Sequence, residues 1–221
     1  CRLRGACELT KALKQLAMEH DTSQINVHEV SCIGRCDRAP AMLINEKLYV
    51  LQTVSSATNV CRAACAGKPI TPDRDLEIAL DSISRSEIDC YLSSEISPDG
   101  KKSYTAVEAY LKNPEPQTVI NALEYAQLLG MGGAGGRTFK KWSEVLKAKG
   151  EAKYVVCNAD ESEPGTFKDR DILLAAPHTV IEGMILAGLV VGATQGFIYV
   201  RHEYYEQIEA LENEIQRATQ L

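Results

Sequence analysis

The chain has 221 residues, 45% of them hydrophobic, and 24 Lys and Arg against 30 Asp and Glu give a formal net charge of −6. That length supports one large domain or two small ones, each with its own core. The acidic balance and the lack of a basic stripe argue against nucleic-acid binding. The longest apolar run, Met184 to Ala193, is too short to span a bilayer and reads as a buried helix.

In chain order, Gly5 to His20 is predicted as an amphipathic helix with Leu9, Ala12, Leu13 and Leu16 on one stripe. Ile25 to Val30 is predicted as a strand leading into Ser31-Cys32-Ile33-Gly34-Arg35-Cys36. Ala41 to Ile44 and Lys47 to Leu51 alternate around Asn45-Glu46 and predict a β-hairpin. A helix from about Ser55 to Ala66, stopped by Gly67, closes a first domain over residues 1–67. Its helix–strand–hairpin–helix order is that of a thioredoxin-like fold lacking its first strand. Residues 68–103 read as a connector, with Thr71 capping a helix that has Pro72 at its first position.

A second domain is expected over residues 104–221. Helices are predicted near Ala106–Lys112, from Pro116 to Leu129 and from Thr138 to Lys149. A buried strand, Tyr154 to Cys157, follows, then a short helix around Asp169–Ala175. Thr179-Val180-Ile181-Glu182 has the pattern of a capping box opening a helix to Val191. Gly196 to Arg201 is predicted as a strand and Glu203 to Leu221 as an exposed amphipathic helix. Helices and strands alternate, so the fold class is α/β. The chain starts at Cys1 without Met and stops inside a helical pattern, and it is expected to lack sequence at both ends.

Gly130-Met131-Gly132-Gly133-Ala134-Gly135-Gly136 satisfies G-x-G-x-x-G. The dinucleotide fingerprint needs a strand before its first glycine, and here the preceding spacing is helical. Glycines still let backbone N–H groups approach a phosphate, and Arg137, Lys140 and Lys141 supply charge at a helix start. The plainer alternative is a flexible loop between helices.

Asn158-Ala159-Asp160-Glu161-Ser162-Glu163-Pro164-Gly165 places an amide, three carboxylates and a hydroxyl at the end of a predicted strand. Ligands of open α/β sheets sit beyond the carboxyl ends of strands. Acceptors there suit a ribityl chain, a flavin ring or a nicotinamide ribose. The plainer alternative is a solvated acidic loop that caps the next helix.

The eight cysteines are Cys1, Cys7, Cys32, Cys36, Cys61, Cys65, Cys90 and Cys157. No stretch reads as a secretory signal, so metal binding is favoured over disulfides and the cytoplasm is the default location.

These motifs resemble one family. Gly130–Trp142, GMGGAGGRTFKKW, resembles the glycine-rich flavin loop of the NADH-binding flavoprotein subunit of complex I. Asn158–Arg170, NADESEPGTFKDR, is similar to that family's acidic loop nearly letter for letter, and Pro177-His178-Thr179 through Gly183-Met184 matches the segment after it. Relatives include the diaphorase subunits of NAD-reducing hydrogenases and the beta subunits of NAD-dependent formate dehydrogenases. Several carry an N-terminal thioredoxin-like [2Fe–2S] domain.

The resemblance implies a truncated thioredoxin-like ferredoxin domain followed by the N-terminal part of an α/β FMN- and NADH-binding domain. Gly130, Gly132 and Gly133 would line FMN, with Lys141 near its phosphate or ring. Asn158, Asp160, Glu161 and Ser162 would hold the ribityl chain and isoalloxazine, and Glu163 would face the incoming NAD(H). Hydride would pass between NAD(H) and FMN, and single electrons onward to iron–sulfur clusters. Met131 stands where the family often has Arg, and Gly136-Arg137 replaces an aromatic-proline pair. Loss of an arginine–phosphate bond, about 1.5–3 kcal/mol, would weaken FMN roughly tenfold to a hundredfold. With the family's downstream half and its [4Fe–4S] cysteines absent, this chain alone is expected to bind FMN poorly.

Ferredoxin domains of this kind use a C-x4-C pair and a later C-x3-C pair. Cys32 and Cys36 match the second pair, and Cys1 matches the last cysteine of the first, giving three of the four ligands a cluster needs. Cys61 and Cys65, with Cys32 and Cys36, form a minor alternative as a zinc site. Cys7 and Cys90 are expected to be ordinary cysteines and Cys157 a core residue.

Glu182 is assigned to the capping box with Thr179 rather than to acid catalysis, and His178 to ordering the turn before it. Trp142 and Phe167 are expected in the core, and Lys168, Asp169 and Arg170 in a surface ion network or beside a cofactor. The leading functional reading is an NADH/FMN electron-entry subunit working with other subunits of a dehydrogenase or hydrogenase. A non-catalytic electron-transfer or assembly module and a Rossmann-type dehydrogenase are the alternatives.

Overall fold

The computed structural model describes residues 1–19, 25–30, 32–73, 104–150 and 152–220. They divide into two compact units. One comprises the described residues up to 73 with Glu161–Asp171 and Arg201–Tyr205; the other comprises those of 104–160, Ile172–Val200 and those of 206–220.

In the first unit, helix α1 (Ala6–Glu19) buries Leu9, Leu13 and Leu16. Their four- and three-residue spacing keeps them on one helical stripe. They pack on Ala57 of α2 (Val54–Cys65), with Ile25, Val27, Met42 and Cys61 around them. The predicted hairpin forms as β1 (Met42–Ile44) against β2 (Lys47–Tyr49), antiparallel with Leu43 opposite Leu48. Asn45 and Glu46 take φ of 48° and 67°, the pair of left-handed residues that a two-residue hairpin turn requires. Thr53 and Ser56 form a reciprocal capping box at the start of α2.

The predicted strand at Ile25–Val30 has no ladder among the described residues. Ile25 and Val27 still turn inward, because alternation sorts side chains to two faces but does not supply a hydrogen-bonding neighbour. Thr71, Pro72 and Asp73 are not helical. Instead Asp73 returns to the hairpin end, its N–H donating to the Leu48 carbonyl at 2.9 Å and its carboxylate accepting from Val50 N–H at 2.7 Å. The rest of that predicted helix, most of the expected connector and Cys90 lie outside the described residues.

The second unit is built around α7 (Pro177–Val191), which buries Ile181, Ala187, Val190 and Val191. Packed against it are α3 (Thr105–Lys112), α4 (Pro116–Tyr125), α5 (Thr138–Lys147) and the parallel pair β3 (Tyr154–Ala159) and β4 (Gln195–Val200). The register runs from Tyr154 opposite Gln195 to Ala159 opposite Val200. One core joins Tyr104, Val107, Ala159, Leu173, Ile181 and Leu211, the last from α8 (Tyr205–Ala218). A second joins Tyr110, Ile120, Val190 and Val191, with Trp142 and Phe139 packed on it. Trp142, expected in the core, is half-buried and packs on its edge; Phe167, also expected there, is 48% exposed.

Two further expectations are overturned. Strand β3 is not buried on both faces: Val155, Cys157 and Ala159 turn inward, while Tyr154, Val156, Phe197 and Tyr199 leave an exposed apolar face. The predicted capping box at Thr179 does not form either. Helix α7 starts three residues earlier, at Pro177 with Ala176 as its cap position, and Thr179 Oγ1 donates to the Ala176 carbonyl. The carboxylate of Glu182 crosses to α3, accepting from Ala106 N–H at 2.7 Å and Val107 N–H at 3.3 Å. That carboxylate satisfies N–H groups that α3 cannot pair internally. His178 is a buried residue inside α7, not part of a turn before it.

Candidate functional site

Cys32 and Cys36 sit on a short loop in the first unit that ends in a 3₁₀ turn, Cys36–Arg38. Their Sγ atoms are 3.7 Å apart, and Gly34 N–H donates to Cys32 Sγ at 3.3 Å. Two thiolates on one tetrahedral metal with bonds of about 2.3 Å stand roughly 3.8 Å apart. The pair therefore fits two ligands of a single iron. Cys1 is exposed, and no group of three or more potential ligands forms among the described residues. The structure thus brings together Cys32 and Cys36 but not Cys1, and Cys61 and Cys65 do not join them as a zinc site. Burial, then the neighbouring Cys65, pushes the Cys61 thiol up from its ordinary value, which disfavours a thiolate there.

The carbonyl groups of this loop are held by arginines remote in sequence. Arg201 Nη2 donates to the Cys32 carbonyl at 2.6 Å and Arg201 Nη1 to the Glu161 carbonyl at 2.8 Å. Arg170 Nη1 donates to the Gly34 carbonyl at 2.8 Å, and its Nη2 meets Asp37 at 3.2 Å. Arg170, expected in a surface ion network, is buried at 5% exposure. Arg35 and Arg201 flank the ring of Tyr204, with guanidinium carbons 5.2 and 5.4 Å from its centroid. Gly34 has φ of 71°, and a Cβ there would lie 2.8 Å from Tyr204 Oη. Backbone conformation and the tyrosine both demand glycine.

The acidic loop begins where β3 ends. Asn158 Oδ1 accepts from Asp160 N–H at 3.2 Å, a local turn that shapes the strand exit. Glu161 is 2% exposed. Its carboxylate accepts from Asp169 N–H at 2.8 Å, Arg170 N–H at 3.2 Å and the Tyr204 hydroxyl at 3.0 Å. The capping role weighed for this loop is thus the role Glu161 performs, at the start of α6 (Lys168–Ala175). Ser162 and Glu163 are exposed, and the Glu163 carbonyl closes a turn with Thr166 N–H.

The glycine loop has a closed neck. Gly130 N–H donates to the Gly136 carbonyl at 2.8 Å, Thr138 N–H donates to the Leu128 carbonyl at 3.1 Å, and Leu129 bridges Arg137. Gly133 and Gly135 have φ of 95° and 61°, and nothing lies within 4 Å of a Cβ built at either. Residues 131–135 of the loop are exposed to solvent. Lys141 folds over Gly136, its Cε 3.3 Å from where a Cβ would stand. Helix α5 starts at Thr138 without a side-chain cap, leaving its positive end available to an anion. That donor set fits the phosphate of a nucleotide. The residues before Gly130 are helix α4 and a turn, with no strand among the described residues, so the Rossmann reading lacks its framework.

Sequence reasoning did not single out Arg201 or Tyr204, and it gave Arg170 and Glu182 other roles. No local signal marks them, because their partners lie far away: 169 residues separate Arg201 from Cys32, and 136 separate Arg170 from Gly34.

Comparison with known proteins places two domains on the chain. Residues 123–221 match the Nuo51 FMN-binding domain and residues 1–65 the thioredoxin-like [2Fe-2S] ferredoxin. NAD-reducing hydrogenase HoxS subunit alpha of Cupriavidus necator is 34% identical over 198 residues, covering 85% of this chain and 32% of that protein. An NADH-quinone oxidoreductase subunit of Rhizobium meliloti is 43% identical over 115 residues, covering 52% of this chain and 27% of that protein. A crystal structure of NAD+-reducing [NiFe]-hydrogenase in the H2-reduced state superposes with a TM-score of 0.74 at 27% identity, covering 96% of this chain and 37% of that one. The chain spans about a third of the length of these relatives.

Proposed function

Because this chain belongs to the NADH-binding flavoprotein family of complex I and the NAD-reducing hydrogenase diaphorases, with its thioredoxin-like [2Fe–2S] segment ahead of the FMN-binding domain, we propose that it is part of an electron-entry module. The module takes hydride from NADH and delivers electrons to iron–sulfur centres in partner subunits. The division proposed is a cluster-bearing domain over residues 1–67, a connector over 68–103, and an FMN- and NADH-binding domain from 104.

FMN, when bound, supplies the conversion between two-electron exchange with nicotinamide and one-electron exchange with clusters. The chain's own residues bind and orient. Gly130, Gly132 and Gly133 line the cofactor; Gly132 and Gly133 present backbone N–H groups to its phosphate, Gly130 closes the loop's neck through its bond to the Gly136 carbonyl, and Lys141 adds positive charge. Asn158, Asp160 and Ser162 offer acceptors and a hydroxyl to the ribityl chain and ring, and Glu163 meets the nicotinamide nucleotide. Glu161, its carboxylate turned to the Tyr204 hydroxyl and the start of α6, holds the loop's shape. Cys32 and Cys36 bind one iron of a [2Fe–2S] cluster.

One observation carries this reading: Arg201 bonds both the Cys32 carbonyl of the thiol pair and the Glu161 carbonyl of the acidic loop. The two motifs, over a hundred residues apart, are one hydrogen-bonded structure. No single helix among the described residues is long and apolar enough to cross a membrane; a cytoplasmic site, peripheral to any membrane complex, is proposed. The test is NADH oxidation with an artificial acceptor by the complete polypeptide supplied with FMN. Flavin-dependent turnover is expected; its absence would leave an electron-transfer module without an NADH site.

A further inference from the structure

The arginines around Cys32–Cys36 do more than fill space. Potentials of iron–sulfur clusters depend on net charge, solvent exposure and hydrogen bonds to sulfur. Here the Gly34 N–H already points at Cys32 Sγ. In a planar trans peptide the C=O and N–H point in opposite directions. A guanidinium that fixes a carbonyl on one side therefore fixes an N–H on the other. Arg201 fixes the Cys32–Ile33 peptide and Arg170 and Arg35 the Gly34–Arg35 peptide, and the Ile33–Gly34 peptide, whose N–H donates to Cys32 Sγ, lies between these two held peptides.

We propose that Arg201 and Arg170 are positioning residues for the cluster, holding the peptides on either side of Ile33–Gly34 so that the Gly34 N–H stays on Cys32 Sγ and raises the reduction potential. The inference rests on the reading of Cys32 and Cys36 as cluster ligands. It goes further by assigning a function to residues of the acidic-loop helix and the end of β4. Each guanidinium is paired with carboxylates, Arg170 with Asp37 and Asp171 and Arg201 with Glu203. The effect therefore comes from directed hydrogen bonds rather than from net charge. Arginine suits this task because its planar fork reaches two acceptors at once, as Arg201 does with Cys32 and Glu161.

The test is a redox titration of the complete cluster-loaded polypeptide, followed by the electron paramagnetic resonance of the reduced cluster. The variants are Arg201→Met, Arg170→Met and their Lys counterparts, with Lys14→Met, an exposed residue, as control. In Arg201→Met and Arg170→Met the reduction equilibrium is expected to shift about tenfold towards the oxidised form, about 59 mV for one electron, with displaced g-values. The Lys variants should recover part of that shift. Unchanged potential and g-values in the Met variants at full iron and labile-sulfide content would overturn the proposal. Should the Met variants lose the cluster, the Lys variants decide, and a wild-type potential in both overturns it. A wild-type protein without labile sulfide would fail the underlying reading instead, and is recognised before any variant is titrated.

Discussion

The hydroxyl of Tyr204 donates to the carboxylate of Glu161 at 3.0 Å, joining the segment that follows β4 to the centre of the acidic loop. Burial, then the Glu161 charge, pushes the Tyr204 phenol above its ordinary value, so it remains a neutral donor. Glu161 keeps two backbone N–H donors besides. Removing the hydroxyl with Tyr204→Phe should cost about 1.5–3 kcal/mol, read as a lowered denaturant midpoint with unchanged slope. Midpoints within a few tenths of a molar unit would show the bond to be replaceable.

Gly34→Ala should be worse. Its Cβ would stand 2.8 Å from Tyr204 Oη and 2.9 Å from Cε1, on a backbone at φ 71°. Left-handed backbone alone costs roughly 1–2 kcal/mol for alanine. Combining it with Tyr204→Phe should not restore stability, because the ring carbon remains in place; full restoration in the double variant would refute the steric argument.

Glu182→Ala should destabilise the second unit by about 1–3 kcal/mol, through loss of acceptors for Ala106 and Val107 N–H in a buried setting. Glu182→Gln keeps one acceptor oxygen and should lose less. Hydrogen exchange at those two amides distinguishes a local from a global effect: both should exchange faster in the alanine variant.

Tyr104 donates to Glu214 at 2.6 Å, and burial, then that carboxylate, raises its ionisation above the ordinary value of 10.0. A group whose native value is raised contributes stability that is complete below the unfolded value and fades above it. The native protein should therefore lose stability as pH rises beyond about 10, and Tyr104→Phe should flatten that decline. An identical alkaline profile in the variant would exclude Tyr104 as its source.

Cys32→Ser and Cys36→Ser should each abolish bound iron and labile sulfide, whereas Cys61→Ala and Cys65→Ala should retain both, because the paired thiols are those of Cys32 and Cys36, 3.7 Å apart, and burial disfavours a thiolate at Cys61. Iron retained by Cys36→Ser would remove it from the ligand set.

For the flavin site, Lys141→Ala should weaken FMN by roughly tenfold to a hundredfold, the value of one charged phosphate bond of about 1.5–3 kcal/mol. Quenching of FMN fluorescence by the complete polypeptide measures it, and equal affinity would place the phosphate elsewhere.

The chain's local patterns determined much of this protein. Turn chemistry at Asn45-Glu46, the leucine stripe of α1, the glycines before α5 and the short spacing of Cys32 and Cys36 each act over a few residues. Their outcome follows from dihedral preferences and side-chain periodicity, so each was legible in the sequence. Where a pattern needs a partner, legibility ended. The alternation at Ile25–Val30 does not reveal whether a neighbouring strand exists, and Thr179 with Glu182 has the letters of a cap whose carboxylate is drawn to α3. The roles of Glu161, Arg170, Arg201 and Tyr204 were decided only by tertiary structure. A carboxylate or guanidinium bonds whatever donors or acceptors the fold brings within about 3 Å, and along this chain those lie up to 169 residues away.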